Sequence, residues 1–332
     1  MRIESNFNLK EHNTFGIDAK AERFVEYASE AELINFLQDL KPPYMHIGAG
    51  SNLLFMDDYH GTVLHSAIKG VRIVDDTTDT VSVRVGAGEV WDDFVAWAVG
   101  HAYGGVENLS NIPGEVGASA VQNIGAYGVE AKDVIAEVEL VDLADGSKHT
   151  VANADCHYAY RQSIFKNEWK GRYAVTYVTY TLSKHPTLKL DYGNIHAMLA
   201  NVDNPTVADV RRVIIDIRNA KLPDPKIVGN AGSFFMNPVV SEDKFKEILS
   251  RFPDAPHYVV EGGVKVPAGW MIEKCGWKGR SLGKAGVHSK QALVLVNNGG
   301  ASGEDVMRLS EAICKDVLET FGVSIHPEVN VV

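Results

Sequence analysis

Cysteine is scarce in this chain: Cys156, Cys275 and Cys314 are odd in number and far apart in 332 residues. They fit neither a zinc-ligand spacing nor a disulfide framework, which predicts a reducing compartment, the cytoplasm, and no structural metal. Basic charge is also in deficit. Lys and Arg total 32 against 43 Asp and Glu, a net charge of −11, and this argues against a nucleic-acid partner because a phosphate backbone needs a basic face. Small anionic ligands stay open, since screening acts over about 8 Å and a pocket's own lysines and arginines outweigh distant carboxylates. No apolar run approaches bilayer length and residues 1–6 do not start a signal peptide, so no membrane association is expected. Also missing are a Walker lysine, a full G-x-G-x-x-G inside a βαβ unit, internal repeats, low-complexity tracts and a histidine cluster with metal-ligand spacing.

What is present is a balanced globular composition, 45% hydrophobic and 23% charged, in a chain long enough for two or three domains. Phe24–Tyr27 and Tyr44–Ile47 read as strands, and Ser29 to Leu40 as a short helix with Ser29 as N-cap. Val81–Val85 alternates as a strand and leads to a helix from about Val90 to Val99. From Val134 to Leu182 the pattern is mostly period two, an antiparallel sheet. Val207 to Ala220 places Val210, Val213, Ile214 and Ile217 on one helical face, and Pro223 and Pro225 stop it at a domain boundary. Beyond lie a helix near Ala268 to Cys275, a strand Ala292 to Asn297 and a helix from Glu304 to Thr320. The last has a capping box from Ser302 to Asp305 and Gly322 as its C-cap.

Two strands run into Gly-Ala-Gly turns, at Gly48-Ala49-Gly50-Ser51-Asn52-Leu53 and at Gly86-Ala87-Gly88. Each suits convergence of backbone N–H groups on a phosphate, and each reads equally as structural punctuation. A third stretch, residues 105–128, is rich in glycine, amides and hydroxyls and poor in charge. That composition suits a backbone wrapped against a large flat ligand, with Ser119, Gln122 and Asn123 supplying hydrogen bonds; the alternative is a buried glycine-rich crossover. A fourth, Gly229-Asn230-Ala231-Gly232-Ser233-Phe234-Phe235-Met236-Asn237-Pro238, holds Ser233 in a small-residue turn, either as a turn-stabilising hydroxyl or as a presented reactive group.

These segments, taken with Asn13-Thr14-Phe15-Gly16, Tyr158-Ala159-Tyr160-Arg161, Lys221-Leu222-Pro223-Asp224-Pro225, Ala268-Gly269-Trp270-Met271-Ile272 and Pro327-Glu328-Val329, closely resemble the UDP-N-acetylmuramate dehydrogenase family, also called UDP-N-acetylenolpyruvoylglucosamine reductase. The resemblance covers essentially the whole chain and is most specific at Ile112-Pro113-Gly114, Gln122 to Gly128 and Gly232-Ser233-Phe234-Phe235. It implies an α+β protein with a vanillyl-alcohol-oxidase-type (PCMH-like), two-part FAD-binding fold and a C-terminal α/β substrate-binding domain. FAD would be bound non-covalently and reduced by NADPH, and the product would be a lactyl ether of a UDP-sugar for peptidoglycan. The implied divisions are two FAD-binding subdomains, 1–67 and 68–220, with a substrate loop near 185–200. A substrate domain over 221–325 follows, then a strand over 326–332 returning Glu328 to the active site. A monomer is expected.

The resemblance also implies roles. Ser233 matches the proton donor, Arg161 the group that binds the substrate carboxylate, and Glu328 the catalytic glutamate. FAD would be held by Gly48, Ala49, Gly50, Ser51, Asn52, Leu53, Ile112, Pro113, Gly114, Gly117, Ser119, Gln122, Asn123, Gly125 and Tyr127. Tyr192, in Asp191-Tyr192-Gly193, matches the lid tyrosine of the longer type; with Lys221 and Asn237 it would bind the diphosphate, helped by Arg218 and Tyr160. Lys221 reads alternatively as a lysine complementing a helix C-terminus. Met236 and Asn330 stand where basic residues are frequent in the family. Two other functions fit parts of the pattern: a flavin oxidase or dehydrogenase of the same fold, and a non-catalytic regulator that binds a nucleotide sugar.

Overall fold

The computed structural model describes residues 1–332 and divides into two compact units. The first comprises Met1–Phe7, Ala21–Ala49 and His60–Ala220; the second comprises Asn8–Lys20, Gly50–Tyr59 and Lys221–Val332. Residues 1–67 are therefore divided between the two units. Long-range bonds invisible in the sequence explain this. Asn230 donates its N–H to Thr14 O at 2.9 Å, Asn297 Nδ2 donates to Phe15 O at 2.9 Å, and the Phe15 ring meets Phe234 edge-on at 6.1 Å.

In the first unit an antiparallel five-stranded sheet runs in the order Lys148–Ala152, Ile135–Asp142, Tyr173–Ser183, Thr80–Gly86, Val71–Asp76. Period-two alternation buries Val81, Val83, Val85, Val138, Leu140, Val178 and Leu182 in one core with Trp91, Phe94 and Val95 of the helix Trp91–Gly100. Each such side chain contributes about 1.5–3 kcal/mol of transfer free energy before chain entropy is subtracted. A four-stranded sheet orders Arg2–Asn8, Lys20–Tyr27, Tyr59–Ser66 and Tyr44–Ile47, the last two parallel. The helix Glu30–Phe36 packs Leu33 and Phe36 beside Val25, Tyr27 and Leu64. Ser29 caps it, its Oγ accepting the Glu32 N–H at 3.2 Å. The helix Val207–Lys221 buries Val210, Val213, Ile214 and Ile217 with Ile195 and Leu199.

The second unit is built on the helix Gly303–Phe321, with the Ser302–Asp305 capping box and Gly322 in the left-handed region at φ 62°. Val306, Leu309, Ile313, Val317 and Phe321 are its buried stripe. Two three-stranded sheets belong to this unit, one of them formed by Ser281–Leu282, Ala285–Val287 and Leu295–Asn297. The predicted strand from Ala292 is thus only three residues long, because Ala292 to Val294 serve a loop. Sequence periodicity also passed over the helix Glu242–Arg251, whose short apolar pair Phe245 and Ile248 is all it buries. No helix is long and apolar enough to cross a membrane.

Candidate functional site

The strand Tyr44–Ile47 leads into the turn at 48–52. Gly50 has φ +64°, and a Cβ there would lie 2.0 Å from His12 O, so no other residue fits. A Cβ on Gly48 would approach Glu115 Oε2 to 3.1 Å. The N–H groups of Ala49, Gly50 and Asn52 donate to no acceptor in the protein. The other Gly-Ala-Gly turn differs. There Gly86, Ala87, Gly88 and Glu89 all donate to backbone carbonyls, and a Cβ on Gly88 would sit 2.2 Å from Ser66 O. It is chain packing, and only the first turn retains donors for a ligand. Ser51, Asn52 and Leu53 are half-buried within it.

The stretch 105–128 is not a continuous wrapped loop. It contains a helix, Val116–Gln122, and the short strand Gly125–Ala126. Gly117 is a packing glycine: its N–H donates to Ala87 O at 2.8 Å, and a Cβ would lie 2.9 Å from that alanine's Cβ. Ser119 is buried, with Oγ 2.7 Å from Val116 O and 2.8 Å from Tyr180 OH. Asn123 is fully buried, its Nδ2 on Glu130 Oε2 and Ala159 O, both at 2.9 Å, and its Oδ1 accepting the Lys132 N–H at 3.0 Å. The Ser119 and Asn123 side chains thus have partners within the protein. Gln122 Oε1 accepts from Lys166 Nζ at 3.2 Å. Half-buried Ile112 and Gly114 keep backbone N–H groups that donate to no protein acceptor, on either side of exposed Pro113.

Arg161 sits among turns between two strands of the large sheet, at φ +56°, a conformation that costs a non-glycine residue about 1–3 kcal/mol. Its guanidinium is fixed by Nη2 to Gly125 O at 2.8 Å and Nη1 to Asn123 O at 3.4 Å. Gly125 makes room for it, since a Cβ there would be 3.2 Å from Nη1. The same guanidinium lies 5.4 Å from the ring centroid of Tyr160, which is exposed. Tyr127, at φ +49°, meets Tyr192 edge-on at 6.2 Å. Burial raises the Tyr127 phenol pKa, partly offset by Arg218. Burial in turn lowers the Arg218 pKa against the pull of Tyr127 and Asp92, and Arg218 Nε donates to Asn111 O at 3.1 Å.

Within the second unit, Gly232 at φ +68° donates its N–H to Asn230 Oδ1 at 2.9 Å, turning the chain so that Ser233 is exposed while Phe234 and Phe235 are buried. The Ser233 hydroxyl makes no hydrogen bond within the protein. The segment is a rung between two others: Phe234 donates to Leu293 O at 2.8 Å, and Glu328 donates its N–H to Phe234 O at 2.7 Å. Asn52 Nδ2 reaches Glu328 O at 3.4 Å. This unit thus gathers Ser233, Glu328 and the Gly50 to Leu53 part of the turn, which lie far apart in sequence. Asn237 Oδ1 accepts the Ala268 N–H at 2.9 Å at the start of the helix Ala268–Lys274, so only its NH₂ remains for a ligand. Lys221 is exposed and forms no ion pair. Arg161, Tyr160, Tyr127, Tyr192 and Arg218 belong to the first unit.

One cluster escaped sequence reasoning. His65 Nδ1 lies 3.0 Å from Glu26 Oε2 and Nε2 lies 3.0 Å from Glu115 Oε1, next to the Ile112-Pro113-Gly114 turn. Burial opposes its protonation, but Glu115 and then Glu26 outweigh it and raise the pKa above the ordinary 6.5. Its neighbour His46 is pushed down to about 3 by burial and by His65. Single histidines and glutamates on separate strands carry no sequence signal.

Comparison with known proteins gives concordant matches. The family model for the UDP-N-acetylenolpyruvoylglucosamine reductase C-terminal domain matches residues 224–332, and an FAD binding domain model matches residues 21–152. UDP-N-acetylenolpyruvoylglucosamine reductase of Bacteroides fragilis is 54% identical over 331 residues, 99% of each chain. That of Flavobacterium johnsoniae is 47% identical over 337 residues, 100% of each. The crystal structure of the Thermus caldophilus reductase superposes with a TM-score of 0.72 at 23% identity, covering 100% of this chain and 99% of that one. 6-Hydroxy-D-nicotine oxidase of Arthrobacter nicotinovorans shares the fold at a TM-score of 0.52 and 12% identity, over 97% of this chain and 86% of that one.

Proposed function

Because the chain belongs to the UDP-N-acetylenolpyruvoylglucosamine reductase family, we infer that it reduces UDP-N-acetylenolpyruvoylglucosamine to UDP-N-acetylmuramate for peptidoglycan, using bound FAD and NADPH. The observation that carries the reading in this chain's own geometry is the exposed, unbonded Ser233 hydroxyl on a rung whose next carbonyl holds the Glu328 N–H. The residues fit FAD. The turn 48–53 and the Ile112-Pro113-Gly114 turn keep uncommitted N–H donors, the group type that a flavin's diphosphate and ring carbonyls require. Gly117, Ser119, Gln122, Asn123, Gly125 and Tyr127 complete the proposed FAD-binding set.

FAD held by these residues would supply the hydride chemistry for the enolpyruvyl double bond, with NADPH as the source of electrons. The protein's task is then to stabilise charge at the neighbouring carbon and carboxylate, and to deliver a proton. Arg161 binds that carboxylate through a planar fork already oriented by Gly125 O. Glu328 acts on the developing enol, and Ser233 gives up its proton to carbon. Lys221, the NH₂ of Asn237, Tyr192 and Tyr160 take the nucleotide diphosphate and sugar, helped by Arg218. We assign 1–67 and 68–220 to cofactor binding, 221–325 to substrate, and 326–332 to a strand that carries Glu328. A monomeric cytoplasmic enzyme is the matching cellular form.

The test is optical. Purified protein is expected to be yellow, to bleach anaerobically with NADPH, and to regain colour with UDP-N-acetylenolpyruvoylglucosamine. Protein that stays colourless with added FAD would sink the reading in favour of a nucleotide-sugar-binding regulator. Colour regained only with oxygen would favour an oxidase.

A further inference from the structure

Asn330 stands two residues after Glu328, and it spends both of its donors on one carbonyl. Its backbone N–H reaches Asn52 O at 3.1 Å and its Nδ2 reaches the same oxygen at 3.2 Å. Asn52 answers with Nδ2 on Glu328 O at 3.4 Å. Around this exchange Asn330–Val331 pairs in parallel with Leu53–Leu54, Val332 donates to Leu54 O at 2.9 Å, and Met56 donates to Val332 O at 2.8 Å. The Glu328 backbone is thus held by its N–H on Phe234 and by its carbonyl on Asn52. The Asn52 peptide faces two ways: its carbonyl is saturated by Asn330, while its N–H is among the uncommitted donors of the turn.

We propose that Asn330 is a positioning residue that ties the Glu328 strand to the cofactor turn, so that filling the turn and placing the Glu328 carboxylate are coupled. The proposal rests on the functional reading above. Its physical basis is that a two-residue parallel pair is too short to be stable alone. Side-chain donors must supplement it, and any ligand that stiffens Asn52 stiffens residues 326–332 with it. Coupling of this kind is reciprocal: loosening the strand weakens the ligand's hold on the turn.

The experiment uses the full chain as holoenzyme and after FAD removal. In the wild type, amide hydrogen exchange of residues 326–332 is expected to slow when FAD is added back. Asn330→Ala is expected to weaken FAD binding, read by flavin fluorescence, about fivefold, since one neutral hydrogen bond is at stake. It should slow reoxidation of the reduced flavin by substrate by a similar factor and leave reduction by NADPH unchanged. Asn330→Asp keeps the shape but aims an acceptor at Asn52 O, so it should be at least as impaired; a residue that merely packs would tolerate it. Wild-type exchange in 326–332 that ignores FAD, or an Asp variant with unchanged FAD affinity and reoxidation, would overturn the proposal. Either result in a protein that still turns over leaves the functional reading intact, whereas a wild type that NADPH cannot bleach removes that reading first.

Discussion

Glu328 donates its backbone N–H to the carbonyl of Phe234 at 2.7 Å, one residue past Ser233. Ninety-odd residues of chain separate Ser233 from Glu328, and the rung brings the two backbone segments together independent of either side chain. Pro327 bridges to Phe235 on the same ladder, and the rings of Phe234 and Phe235 are buried. The two backbone segments are held by strand pairing anchored in a core, the kind of support that a functional site on rigid elements requires.

Tyr192→Phe keeps the edge-on packing against Tyr127 and removes only the hydroxyl. If Tyr192 is the substrate lid proposed above, the KM for the sugar nucleotide is expected to rise while FAD stays bound through purification. Steady-state kinetics and the visible spectrum of the purified variant check both halves. Loss of FAD would place residue 192 with the cofactor instead.

Lys221 is exposed with no carboxylate partner, so its ammonium is available to phosphate. Lys221→Ala should weaken the UDP-sugar and NADPH alike if both diphosphates use one pocket. A charge-assisted contact is worth about 1.5–3 kcal/mol, or roughly ten- to hundredfold in affinity. Weakening of only one ligand in equilibrium titrations would refute a shared pocket.

Much of the fold was legible because its signals are local. The Ser302 capping box, the Gly322 C-cap and the stripe from Val306 to Phe321 mark one helix at 303–321 without any tertiary knowledge. The helix Val116–Gln122 was hidden because its glycine and small residues carry no amphipathic period; it is helical because Gly117 packs on Ala87 and Ser119 bonds Tyr180. The polar side chains of Ser119 and Asn123 gave no hint of Tyr180 and Ala159, the partners 61 and 36 residues away. Ser233 and Arg161 were singled out through motif resemblance, whereas the partners of Asn330 and His65 are long-range pairs that no motif records.

His65 should give stability a measurable pH dependence. Its folded pKa lies above the ordinary 6.5 because Glu115 and Glu26 outweigh burial. A raised histidine contributes fully below its unfolded pKa and loses its contribution as pH rises through the folded value. His46 has the opposite sign: held neutral by burial and by His65, it costs stability as pH falls below 6.5. The difference in Tm between wild type and His65→Gln isolates the first effect. It is expected to be largest below about pH 6.5 and to shrink toward alkaline pH. A difference that grows with pH would mean that His65 is neutral in the fold.

Ser233 offers the most decisive test, because the reaction separates into two halves. Reduction of the flavin by NADPH requires no proton delivered to carbon, while reduction of the enolpyruvyl group does, and only there should the exposed hydroxyl act. Ser233→Ala is therefore expected to bleach with NADPH at a near-normal rate. Its reoxidation by substrate should slow by about 10²–10⁴-fold, the usual contribution of a general acid. The fold should be indifferent to the change, since Ser233 is exposed, its hydroxyl bonds nothing in the protein, and the turn is set by Gly232 and Asn230. Ser233→Cys should recover part of the loss, a thiol being the stronger acid in nearly the same place. Anaerobic stopped-flow of each half-reaction reads all three proteins. If the alanine variant slowed flavin reduction as much as reoxidation, Ser233 would be a turn residue and its role as proton donor would fall.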